Sequence, residues 1–210
     1  MTKSSVTKGA IKFWTFTALT IIVSVFDNIF TYVGSPDLSR EANPLVYTLG
    51  FNWVGLIISN VILLCIFIIS YYYSFIQFKP DVIPCKGFKE YFSMLYFDRP
   101  DKFIWTLYKM PKNKRVYSYI IACCGYVMAI LVPIIRLRAV MEWALFLSNK
   151  DLFYSYCMLI EKISFITLFG RFDYFLMILV IIILLIIYWF FQEYKINKIA
   201  LEEQKSDLAI

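Results

Sequence analysis

Asp27 lies inside an apolar run that begins near Ile11, and its type and place invite chemistry more than those of any other residue. A carboxylate within a hydrophobic stretch of membrane length is costly unless paired, hydrogen-bonded or protonated, and such acids mark ion, proton or ligand sites by default. Thr17, Thr20, Ser24, Asp27 and Thr31 recur at spacings of three and four, which is one stripe of a helix. A polar stripe in lipid has to face protein or water. A rise of 1.5 Å per residue puts Asp27 about 22 Å from Lys12 and Arg136 about 31 Å from Arg115. A long arginine reaches down from that depth, so an Asp27–Arg136 pair is geometrically reasonable. Two readings stay open: a structural ion pair, or a ligand- or proton-handling site. One acid without a second buried titratable group makes a poor relay.

The string Glu41-Ala42-Asn43-Pro44 follows. Asn43 suits an N-cap, Pro44 the first helical position and Glu41 the positive end of a helix dipole, so the string reads as the start of the second span. The arrangement Asp27…Thr31…Glu41-x-Asn43-Pro44 resembles a pattern of small uncharacterised prokaryotic multi-pass membrane proteins, over residues 23–60. The resemblance implies a polar cluster at the outer end of the first two helices and supplies no activity. With Arg136 added, the candidate cluster is Asp27, Thr31, Glu41, Asn43 and Arg136.

The elements that must hold this cluster follow from composition. The chain is 60% hydrophobic and 17% charged, well above the roughly 45–50% apolar share of soluble domains. Four windows, 11–33, 51–73, 116–135 and 174–191, are apolar over the roughly 20 residues that a hydrocarbon core requires. The expected fold is all-α: a single-domain integral membrane four-helix bundle. Lys3, Lys8 and Lys12 precede the first window, nine basic residues fall in 77–115, and Lys195, Lys198 and Lys205 follow the last. Excess Lys and Arg stays cytoplasmic, so both termini and the loop 77–115 are expected inside and 136–173 outside. In that outer loop, 139–150 and 152–169 are expected as separate helices on the outer face. A fifth span over 152–170 is the competing reading, although it would bury the pair Glu161-Lys162.

Contact faces can be assigned by the same periodicity. Ser118, Ala122, Gly125 and Ala129 on the third span, and Asn52, Gly55 and Ser59 on the second, are small or polar at helical spacing, which lets membrane helices approach closely. Leu176–Ile187 is almost uniformly aliphatic and suits the lipid-facing edge or another subunit. The cytoplasmic loop predicts two short amphipathic helices: Phe88, Tyr91, Phe92 and Leu95 share one face, and Phe103, Ile104, Leu107 and Tyr108 the other. Lys86, Lys89, Lys102, Trp105 and Lys109 would then meet the headgroups of an acidic leaflet, with a partner's surface as the alternative.

Histidine is absent, no CxxC occurs, and GxSxG, P-loop, HExxH and GxGxxG motifs are missing. Cys123-Cys124 reads as core packing. The charge of +6 is divided among segments flanking membrane windows and signals topology before nucleic acid. The expectation is a non-catalytic accessory or assembly subunit of a larger membrane complex, with no cofactor beyond bound lipids, and with membrane lipids and other subunits as partners. The alternative is a small transporter or lipid- or ion-handling protein with its site around Asp27 and Glu41. The wealth of Ile, Lys, Tyr and Phe suits an AT-rich prokaryotic genome.

Overall fold

The computed structural model describes residues 3–39, 44–100, 114–163 and 172–207. They form four long helices, α1 (Lys3–Gly34), α3 (Trp53–Tyr72), α5 (Arg115–Ser148) and α7 (Phe172–Asp207), and three short ones, α2 (Pro44–Tyr47), α4 (Phe88–Phe97) and α6 (Lys150–Ile163). No strand occurs among the described residues. The stretches Thr7–Gly34, Trp53–Gln77, Arg115–Ser148 and Ile178–Gln204 are long and apolar enough to cross a membrane. A helix satisfies all its backbone polar groups internally, which is why uninterrupted apolar sequence takes this form.

α1 and α3 run antiparallel: Thr20 meets Tyr71, Asn28 meets Asn60, and the ring of Tyr32 meets that of Trp53. α5 runs alongside α1 and against α3, with Ser74 donating to the Ala122 carbonyl at 2.8 Å. α7 packs its C-terminal half on α5 and α4, where Trp189 and Phe190 join a core with Tyr91, Leu95, Val116, Tyr119 and Cys123. Val180, Ile183, Leu184 and Ile187 on its other half stay exposed. The N-terminus of α1, the end of α3, α4, the start of α5 and the C-terminal half of α7 therefore share one end of the molecule, here the basic end.

Two glycines set how closely these helices approach. A Cβ at Gly125 would collide with the Ser70 carbonyl, and one at Gly9 with the Phe75 carbonyl. The end of α3 is thus held between α1 and α5 at backbone contact. It is also where α3 gives way to a π-helical turn, Tyr73–Gln77, closed by the Phe78 amide on the Tyr73 carbonyl at 2.8 Å.

Several expectations change in the fold. α5 does not stop near 135 to be followed by a separate helix over 139–150; it runs unbroken to Ser148 with Pro133 inside it. Proline forfeits one backbone bond, and here Leu131, Val132 and Pro133 are all buried, so surrounding packing holds the helix through it. Pro44 opens the single turn α2 and not the second span. Gly50, at φ +64°, ends that turn as an αL cap with its amide on the Val46 carbonyl, and the Phe51 amide reaches the Leu45 carbonyl. The long helix begins at Trp53, capped by the Asn52 side chain accepting from the Gly55 amide at 3.0 Å. The buried line of α3 is accordingly Leu56, Asn60 and Tyr71, not Asn52, Gly55 and Ser59.

α4 occupies the position of the first loop helix, yet its aromatic face is turned inward. Tyr91 and Leu95 are fully buried, and Phe88 and Phe92 lie against Tyr194 and Phe190 of α7. Intramolecular aromatic packing competes for the same face that a membrane surface would take, and α7 supplies the rings. The second loop helix, with Lys102, Trp105 and Lys109, falls outside the described residues. α6 has 14 residues, about 21 Å at 1.5 Å per residue. It folds back on the end of α5 through Phe146–Phe153 and a Tyr156 hydroxyl donating to Glu142 at 3.3 Å.

Candidate functional site

The stripe on α1 is buried along its whole length: Thr17, Thr20, Ser24, Asp27 and Thr31 are all sealed within the protein. Halfway along, Thr20 hydrogen-bonds the Tyr71 hydroxyl at 3.3 Å, which in turn donates to the Met128 carbonyl at 3.2 Å. One polar link thus joins α1, α3 and α5. Two turns further on, Arg136 of α5 forms an ion pair with Asp27 through Nη1. Its Nη2 donates to Asn60 Oδ1 at 2.9 Å, and Asn60 Nδ2 donates to Asn28 Oδ1 at 2.9 Å. The chain of contacts Asp27–Arg136–Asn60–Asn28 closes back on α1, so one guanidinium ties three helices.

The chemistry of this arrangement follows from satisfaction. Asp27 and Arg136 side chains are 12% and 19% exposed, so both charges are largely desolvated. Each is worth keeping there only if its remaining lone pairs and protons are met. For Arg136 the Asn60 carbonyl does that, and Asn28 in turn accepts from the Asn60 amide. Thr31 is buried one turn beyond Asp27. Of the other cluster candidates, Glu41 and Asn43 lie outside the described residues, so the structure joins Asp27 and Arg136 alone among the five. Sequence periodicity missed Asn60 and Asn28. The signal was available in Asn60, an amide in the middle of an apolar helix, by the rule that singled out Asp27.

At the basic end a second polar group was also missed. Glu193 of α7 is 9% exposed, and its Oε2 is buried without a hydrogen-bond partner. It lines a cleft of about 360 Å³ with Lys8 and Lys12 of α1, Ser74 and Phe75 of the π turn, and Tyr126 of α5. One turn on, Asn197 grips the loop before α4. Its Oδ1 accepts from the Ile83 amide at 2.6 Å, and its Nδ2 donates to the Ile83 carbonyl at 2.9 Å and to Cys85 Sγ at 3.3 Å. Burial, with the charge of Glu90 second, pushes the Cys85 thiol up. Lys86 and Lys89 at the start of α4 are exposed, and the Lys86 amide donates to Glu90 at 2.8 Å.

Among the described residues no three His, Cys, Asp or Glu side chains converge on a metal position. Cys123 is buried while its neighbour Cys124 is exposed. Compared with protein-family models, curated proteins and solved structures, the chain has no significant match.

Proposed function

We propose that this chain is a multi-pass membrane protein, a four-helix bundle with both termini cytoplasmic, that acts without catalysis as an accessory or assembly subunit of a larger membrane complex. The observation that carries this reading is the engagement of Asp27. The residue best placed for intramembrane chemistry is taken up by Arg136, whose second nitrogen goes to Asn60, so the deepest charges serve to register three helices. What remains outward is apolar surface. Ile57, Ile58, Val61, Ile62 and Ile69 of α3 are exposed, a flank suited to lipid or to a neighbouring transmembrane subunit.

The reading is tested by tagging the full chain, extracting it in mild detergent and identifying what co-purifies. A stoichiometric membrane partner, lost when Ile58 and Ile62 are both changed to Trp while abundance stays normal, is the expected result. A chain that purifies alone, with a cellular phenotype that depends on Asp27→Asn but not on that flank, would overturn it in favour of a transporter or ion site.

A further inference from the structure

The cleft at the basic end has opposite charges on its two sides. Lys8 and Lys12 stand one turn apart on α1, and like charges at that spacing repel unless an anion lies between them. Across the cleft, α7 presents Glu193, buried to 9% exposure, with one carboxylate oxygen sealed and unpartnered. Lys12 supplies a positive charge near Glu193, while Oε2 has no hydrogen-bond donor, and a buried carboxylate oxygen in that state is relieved by a cationic donor. Phe75, Tyr126 and Tyr188 also line the cleft, with Ser74 of the π turn. Here the turn is clamped by Gly9, whose missing Cβ lets α1 touch the Phe75 carbonyl, so the lysines stand on a backbone locked against the cleft.

We propose that this cleft binds a phosphorylated primary amine, the chemistry of an ethanolamine phospholipid headgroup, with its phosphate on Lys8 and Lys12 and its ammonium on Glu193. A volume of about 360 Å³ falls within the roughly 300–1,000 Å³ of ligand clefts. The charge pattern places this end in the cytoplasm, where a phospholipid of the inner leaflet enters sideways with its acyl chains along the exposed apolar flank of α7. The site needs no second protein, so it stands or falls separately from the accessory role.

The experiment uses the full chain in nanodiscs and in detergent with native mass spectrometry. Phosphatidylethanolamine and phosphatidylglycerol of identical acyl chains are offered in equal amounts. The wild type should retain the ethanolamine lipid about tenfold over the glycerol lipid, the size of one charge-assisted contact. Glu193→Gln should erase that preference while still holding phosphate. The double variant Lys8→Ala with Lys12→Ala should release both lipids. Equal retention of the two lipids by the wild type overturns the proposal, and that comparison needs no variant to fold. Displacement of the retained lipid by O-phosphoethanolamine assigns the site to a soluble phosphorylated amine, and resistance to it assigns the site to the lipid.

Discussion

Arg136 of α5 is ion-paired with Asp27 of α1, 109 residues away in sequence, and the same guanidinium holds Asn60 of α3 at 2.9 Å. Three helices share one charge, so a change at Arg136 reaches α1, α3 and α5 together.

Removing one partner strands the other. Asp27→Ala should destabilise the protein by about 3–5 kcal/mol, the cost of an uncompensated buried charge. Asp27→Leu combined with Arg136→Met should recover most of that loss. Unfolding by SDS in mixed micelles, followed by tryptophan fluorescence, measures both. A double variant as unstable as the single one would show that the pair contributes more than mutual neutralisation.

Asn60 acts through Arg136 rather than independently. Asn60→Leu should cost about 1–3 kcal/mol, the penalty of leaving a donor unmet, and should cost much less in the background where Arg136 is already Met. A double-mutant cycle reads the coupling directly. Additive losses would place Asn60 outside the network.

Close backbone approach at Gly125 leaves no room for a methyl group. Gly125→Ala drives a Cβ into the Ser70 carbonyl and should destabilise by about 1–3 kcal/mol. Gly87→Ala, where a Cβ meets nothing, is the control and should cost no more than the roughly 1 kcal/mol of a poorer N-cap for α4 in the same assay.

Cys85 reports on the loop that Asn197 holds. Alkylation requires thiolate, and burial raises this thiol. In a background with Cys85 as the only cysteine, the alkylation rate should still be climbing with pH where an exposed cysteine has levelled off. Asn197→Ala removes a hydrogen bond that lowers the thiol, but it also frees the loop from α7 and relieves the larger effect of burial, so the reaction should speed up severalfold. An unchanged rate would mean that Asn197 does not hold the loop.

Topology can be read by cysteine accessibility in intact cells. Single cysteines at Asp37 and Asn149 should label from outside, and at Lys114 and Ser206 only after permeabilisation. Asp37 serves better than nearby Ser35, which is 1% exposed. External labelling at Ser206 would require an odd number of crossings.

Much of this protein was legible before any coordinates. Hydropathy sums and charge placement are local properties, so four apolar stretches and the buried stripe of α1 could be read from residue order alone. Depth counting along straight helices could pair Asp27 with Arg136, because axial rise is nearly constant. What residue order could not determine was which face meets which neighbour. Asn52, Gly55 and Ser59 look like a contact stripe, but Asn52 is used up as a cap and the buried line falls on Leu56, Asn60 and Tyr71. The third apolar window looks finished at 135, but packing around Leu131, Val132 and Pro133 carries α5 on to Ser148. The aromatic face of α4 looks made for a membrane surface, but Tyr194 and Phe190 reach it first. Glu193, two residues past the last apolar window, is buried because the C-terminal half of α7 packs on α4 and α5. Each of these outcomes depends on competition among surfaces distant in sequence, and only the assembled tertiary structure brings the competitors within contact distance.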